Sequence, residues 1–152
     1  MKYTVYLAGE IHSNWCDALV RAASDLSITF VGPVTDHAAS DNRGAEILGE
    51  ESNPFWHDRK GAGLNAIRTR MMLQRSAVVV VRFGEKYRQW NAAFDAGFAV
   101  ALGKPLIVVH PEEFQHALKE VDAAACAVAH TVEQVAQILQ YVTQREPWME
   151  TG

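Results

Sequence analysis

Four short runs of β-branched and aliphatic residues recur along the chain: TVYLAG (4–9), ITFVGP (28–33), AVVVVRF (77–83) and PLIVVH (105–110). A weaker fifth, ACAVAHT, follows at 125–131. Each has the length of a strand. Several are apolar at odd and even positions alike, the pattern of a strand covered on both faces. Helix-length segments fall between and beyond them, at 13–26, 65–74, 91–102, 111–121 and 131–144. Ser13 and Asn91 are candidate caps, and Gly103-Lys104-Pro105 is a stop. Such alternation calls for parallel strands joined by right-handed crossovers. The expected fold is α/β: a three-layer, flavodoxin- or Rossmann-like domain whose five parallel strands take the order 2-1-3-4-5.

One segment breaks the rhythm. Residues 34–63 are polar, rich in Gly, Pro, Asp and His, and too long for a simple connection. They read as an irregular loop of functional kind. The expected organisation is a single domain over 1–145 and a C-terminal tail over 146–152, in which an exposed Trp148 would be unusual.

Composition excludes several classes of function. A net charge of −4 and scattered Lys and Arg leave no basic footprint for a nucleic-acid polymer. No run of 18 apolar residues exists to span a membrane. The opening MKYTVYLAG lacks the apolar core and cleavage site of a signal peptide. Cys16 and Cys126 form neither a metal spacing nor a disulfide framework, and read as inert core residues. A cytoplasmic protein is the expectation.

In an open parallel sheet, ligands gather beyond the carboxyl ends of the strands, where the strand order reverses. With order 2-1-3-4-5 that point lies between the first and third strands. Gly9-Glu10-Ile11-His12-Ser13, Arg82-Phe83-Gly84-Glu85 running on to Trp90-Asn91, and the 34–63 segment converge there. That segment would supply Asp36, His37, Asp41, Trp56 and Asp58. Asp95 begins just inside the next helix and is the one ionisable side chain between residues 92 and 103. With Asn91 as cap it falls at the fourth helical position, among Phe94, Phe98 and Ala99. It is either an acid serving the helix N-terminus or a desolvated functional carboxylate of raised pKa.

The stretches YLAGE (6–10), GPVTDH (32–37), RFGEKYRQWNAAFDAG (82–97) and ALGKPLIV (101–108) together resemble the YtoQ family, over almost the whole chain. That family is grouped with the nucleoside 2-deoxyribosyltransferases and related nucleotide hydrolases. The wider resemblance rests on Tyr6-Leu7-Ala8-Gly9, on the strand AVVVV, and on Asp95-x-Gly97-x-Ala99-x-Ala101-x-x-Lys104-Pro105. The last is similar to a Glu-x-Gly-x-Ala-x-Ala-x-x-Lys-Pro pattern whose Glu is the nucleophile. The resemblance therefore implies Asp95 as catalytic nucleophile, and position at the switch point adds Tyr6, Gly9, Glu10, Asp36, Arg82, Trp90 and Asn91 as the expected substrate-binding residues. It implies N-glycosidic cleavage or deoxyribosyl transfer on a small nucleoside or nucleotide, with no cofactor and no metal, in a homo-oligomer. The chain departs from the wider pattern in several places. Asp95 is one methylene shorter than Glu, Thr69 stands where another acid is usual, Trp90-Asn91-Ala92-Ala93 replaces a glycine turn before the nucleophile, and no Asn follows Asn91. The first two favour the alternative of a nucleotide-binding module without turnover, and the lone carboxylate in an apolar helix favours the enzyme.

The other candidates carry competing readings. Glu10 is a ribose-hydroxyl acceptor or a solvated turn acid. His12 and Ser13 begin a helix. Asp36, His37 and Asp41 supply an acid–base pair or metal ligands, or simply form turns. Arg68 and Arg70 bind phosphate or pair on the surface. Arg82 faces the cleft or pairs with Glu85. His110 and His116 cap and decorate a helix.

Overall fold

The computed structural model describes residues 1–33, 35–86 and 88–144, without the side chain of His37. The expected tail at 146–152, Trp148 included, lies outside the described residues. Five parallel strands form one sheet: β1 (Tyr3–Gly9), β2 (Ile28–Val31), β3 (Val78–Arg82), β4 (Leu106–Val109) and β5 (Ala127–Ala129). Their order is β2-β1-β3-β4-β5, as the alternation of apolar runs predicts. Register places Tyr3 beside Ile28, Val5 beside Val78 and Gly9 beside Arg82.

The strands are apolar on both parities because both faces are covered. Val5, Leu7, Val80, Ile107 and Val109 face one core with Trp15, Leu19, Val135 and Leu139. These last come from α1 (Trp15–Ala22) and α6 (Val132–Thr143). Tyr6, Ala8, Val79, Val81 and Val108 face the other core, against Leu73, Ala92, Ala96 and Ala99. Those belong to α3 (Pro54–Arg75) and α4 (Trp90–Ala101). Small alanines on the inner side of α4 let it lie close to β1 and β3, which brings Asp95 to the sheet edge.

The 34–63 segment is not an irregular loop. It folds into α2 (His37–Leu48) and the first turns of α3. Asp36 caps α2, its side chain accepting from the Ala39 N–H at 3.1 Å, and Asn53-Pro54 starts α3. The helices touch backbone to backbone: a Cβ on Gly44 would collide with the Gly61 nitrogen. The glycines that made this stretch read as an irregular loop are what allow the helices to pack.

Helix starts also differ from expectation. α1 begins at Trp15, with Asn14 rather than Ser13 at the cap position. α4 begins at Trp90 with Gln89 as cap, so Asp95 is its sixth residue, beyond the first turn whose free N–H groups favour acids. His110 decorates no helix. Its ring is fully buried beyond β4, with Nδ1 donating to the Pro111 carbonyl at 2.6 Å and Nε2 meeting the Asp122 carboxylate at 2.8 Å. This fastens α5 (Lys119–Ala124) to the sheet. Cys126 is exposed rather than in the core, whereas Cys16 is partly buried.

Candidate functional site

The end of β1 turns sharply. Gly9 has φ +116°, and a Cβ there would run into the Arg82 carbonyl oxygen. That oxygen accepts from the Glu10 N–H at 2.9 Å, so the first turn residue remains zipped to β3. Beyond it Glu10 folds back under the start of α1. Its Oε1 accepts the backbone N–H of His12 and, at 2.7 Å, that of Ser13. Its Oε2 accepts the Ser13 hydroxyl at 2.5 Å and the Arg82 guanidinium at 2.8 Å. The Trp15 indole donates to the Glu10 carbonyl at 2.5 Å and closes the turn. Glu10 is 5% exposed. Burial pushes its carboxyl pKa up, but the Ser13 and His12 donors and the charge of Arg82 outweigh burial and hold it below its ordinary value.

Opposite this turn stands the N-terminal end of α4. Between them opens a cleft of about 290 Å³, walled by Gly9, Glu10, Ile11, His12, Pro33 and the run from Arg88 to Ala92, with Asp95 among its walls. It lies beyond the carboxyl ends of β1 and β3, where the strand order reverses. Asp95 is half-buried, and desolvation lifts its carboxyl from 3.8 to about 6. Among the described residues no cation compensates it.

Beneath Asp95 lies the Tyr6 hydroxyl, fully buried and without a hydrogen-bond partner among the described residues. Burial and then the charge of Asp95 push this phenol up to about 12. Thr69 and Arg68 act in the other direction. The Thr69 hydroxyl approaches the phenol without completing a hydrogen bond. Tyr6, Thr69 and Asp95 thus meet from β1, α3 and α4. Arg68 spends one guanidinium N–H on the Gly32 carbonyl at 3.1 Å.

Of the residues the sequence singled out, Gly9, Glu10, Trp90, Asn91 and Asp95 line this cleft. Tyr6 sits behind it. Arg82 is not among the cleft walls and pairs with Glu10, not Glu85. Asp36 is exposed and serves α2 as its cap. Asp41, Trp56 and Asp58 are exposed and outside the walls, with Trp56 and Asp58 on the first turns of α3. Phe94 is also turned outward, against Phe98. Sequence reasoning missed Pro33, Arg88 and Gln89. The signal for the last two was position: they fill the connection between β3 and α4 that already contributed Trp90 and Asn91. Gln89 accepts the Gly84 N–H at 3.1 Å and gives that connection its shape. Among the described residues no three His, Cys, Asp or Glu side chains are grouped to hold a metal ion.

The same architecture is found in solved structures. A conserved protein from Enterococcus faecalis V583 superposes with a TM-score of 0.58 at 13% identity, over 93% of this chain and 99% of that one. The 2-deoxyribosyltransferase of Bacillus psychrosaccharolyticus superposes with a TM-score of 0.53 at 14% identity, over 88% and 90%. At such identities the likeness is one of fold. In sequence, the uncharacterized protein YtoQ of Bacillus subtilis (strain 168) is 44% identical over 148 residues, 96% of this chain and all of that protein. The family model described as nucleoside 2-deoxyribosyltransferase YtoQ matches residues 6–143. With its parallel sheet, its cleft at the switch point and these matches, the chain belongs to the YtoQ family of nucleoside 2-deoxyribosyltransferase-like proteins.

Proposed function

We propose that the protein cleaves or transfers the N-glycosidic bond of a small nucleoside, with Asp95 as nucleophile. One observation carries this reading: a half-buried carboxylate with no counter-charge among the described residues forms part of the wall of the switch-point cleft. A structural acid would be neutralised, as Glu10 is by Arg82. Asp95 is left to meet positive charge from outside, and the oxocarbenium character that develops at C1′ supplies it.

In the reaction an Asp95 oxygen attacks C1′. A glycosyl ester forms, the bond from C1′ to the base nitrogen breaks, and its electron pair leaves with the base, which takes a proton. Water or a second base then attacks C1′, and the ester electron pair returns to Asp95. Asn91 and Trp90, at the mouth, hold sugar and base, and Tyr6 supports the carboxylate from below. Phe94 is 71% exposed on the outer surface of α4, packed against Phe98. It suits contact with a second copy of the chain, and sedimentation velocity would show the dimer or larger assembly.

Chromatography of purine and pyrimidine 2′-deoxynucleosides after incubation with the protein tests the reading. Free base is expected from the native chain and none from Asp95→Asn. Thr69 in place of an acid favours the rival, a binding module. Tight nucleoside binding without base release, unchanged by Asp95→Asn, would establish that rival.

A further inference from the structure

The turn that leads from the first strand into the first helix, at a switch point, is where this architecture is best equipped to hold an anion. Backbone N–H groups converge there and the helix dipole favours negative charge. In this chain the place is taken. The Glu10 carboxylate accepts from the His12 N–H, the Ser13 N–H, the Ser13 hydroxyl and the Arg82 guanidinium. A carboxylate has about four acceptor positions, and four protein donors fill them. Glu10 has no acceptor left for a ribose hydroxyl. Its buried negative charge also stands in the wall of the cleft that holds Asp95.

We infer that Glu10 is a built-in occupant of the anion-binding turn, a specificity-determining residue that excludes a 5′-phosphate and selects an uncharged nucleoside. The inference rests on the proposed reaction at Asp95 for its orientation. With C1′ at Asp95, the far side of the sugar points across the cleft, and the opposite wall is the turn from Gly9 to His12. A phosphate carried on C5′ would arrive at that turn, where the N–H groups and the guanidinium that could bind it are already engaged by Glu10. A hydroxymethyl group needs no such donors. A second hollow of about 470 Å³ lies on the far side of the same turn, walled by Trp15, Cys16 and Phe30, and Glu10 borders it too. Gly9, Ile11 and Pro33 border both spaces as well, so the whole turn stands between them.

The test replaces Glu10 by Ser, which frees the donors, and by Gln, which keeps the size and removes the charge. Circular-dichroism melting selects the variant that remains folded. Inorganic phosphate binding, followed by phosphorus NMR and calorimetry, is read without any need for turnover. The native chain is expected not to bind phosphate at millimolar concentration, and Glu10→Ser to bind it at least about tenfold more tightly, one charge-assisted hydrogen bond being sufficient for that factor. Adding Arg82→Met should abolish the gain. In parallel, the preference for deoxynucleosides over their 5′-monophosphates in base release should fall by about tenfold or more in the variant. Phosphate gained by Glu10→Ser in a chain that releases no base would uphold the role of Glu10 and remove the reaction. Equal phosphate binding by native and variant chains, or native turnover of monophosphates as fast as nucleosides, would overturn the inference.

Discussion

The guanidinium of Arg82 meets the carboxylate of Glu10 at 2.8 Å and ties the last residue of β3 to the turn that follows β1. The two residues are 72 positions apart in sequence, and the pair holds the Glu10 turn, one wall of the switch-point cleft, against β3.

Arg82→Met should therefore cost more than a surface ion pair. Glu10 would keep its burial and lose its counter-charge, a loss of about 2–3 kcal/mol once the quarter exposure of Arg82 is allowed for. The double variant Glu10→Gln with Arg82→Met should recover part of it, and urea denaturation of all four chains gives the coupling. The pair also has a pH signature. Because Glu10 is held below its ordinary 4.5, its contribution is present above that pH and is lost as pH falls below it.

Asp95 acts on stability with the opposite sign. Its carboxyl is raised from 3.8 to about 6, so the folded chain binds its proton more tightly than the unfolded one. Stability from this group is present below pH 3.8 and is lost as pH rises to about 6. Asp95→Asn should match the native chain at the acid end and exceed it by about 1–2 kcal/mol above pH 7, a figure discounted for partial solvation. Thermal melts across pH show the crossover.

The same shift sets the rate profile. A nucleophile must be ionised, so kcat/KM for base release should rise about tenfold per pH unit below pH 6 and level off above it. A profile still climbing steeply at pH 8 would assign the limiting ionisation to another group.

Tyr6→Phe separates support of the reaction from support of the fold. The hydroxyl is buried without a partner among the described residues, so its removal should leave melting unchanged or raise it slightly. If the phenol braces Asp95, kcat should fall about tenfold or more while KM changes little.

Gly9→Ala should be severe. The position combines φ +116° with contact against the Arg82 carbonyl, and neither can relax without parting β1 from β3. A loss of about 3 kcal/mol or more is expected in denaturant titration.

How legible all this was depended on whether packing left a trace in residue type. The strands did, since Val79, Val80 and Val81 are covered on both faces and show no gap in apolar character. From the strands came the sheet order, and from the order the place where Asp95, Gly9 and Asn91 converge. The α2–α3 hairpin left a misleading trace, because glycines at a close helix crossing look like loop punctuation. Its one clear signal, Asn53-Pro54 ahead of a helix, was hidden among polar neighbours. Helix starts misled for a similar reason: Ser13 serves Glu10, and Asn91 lies inside α4 behind Gln89. Long-range pairings such as Arg82 with Glu10 have no local signature at all.

The 22-residue α3 runs unbroken past its glycine contact with α2 at Gly61 to the turn bearing Arg68 and Thr69, about 12 Å further along the same helix. The α2–α3 packing and the wall behind the Tyr6 phenol are thus carried by one continuous helix, so the segment that looked like a loop is part of the frame that holds Thr69 in place.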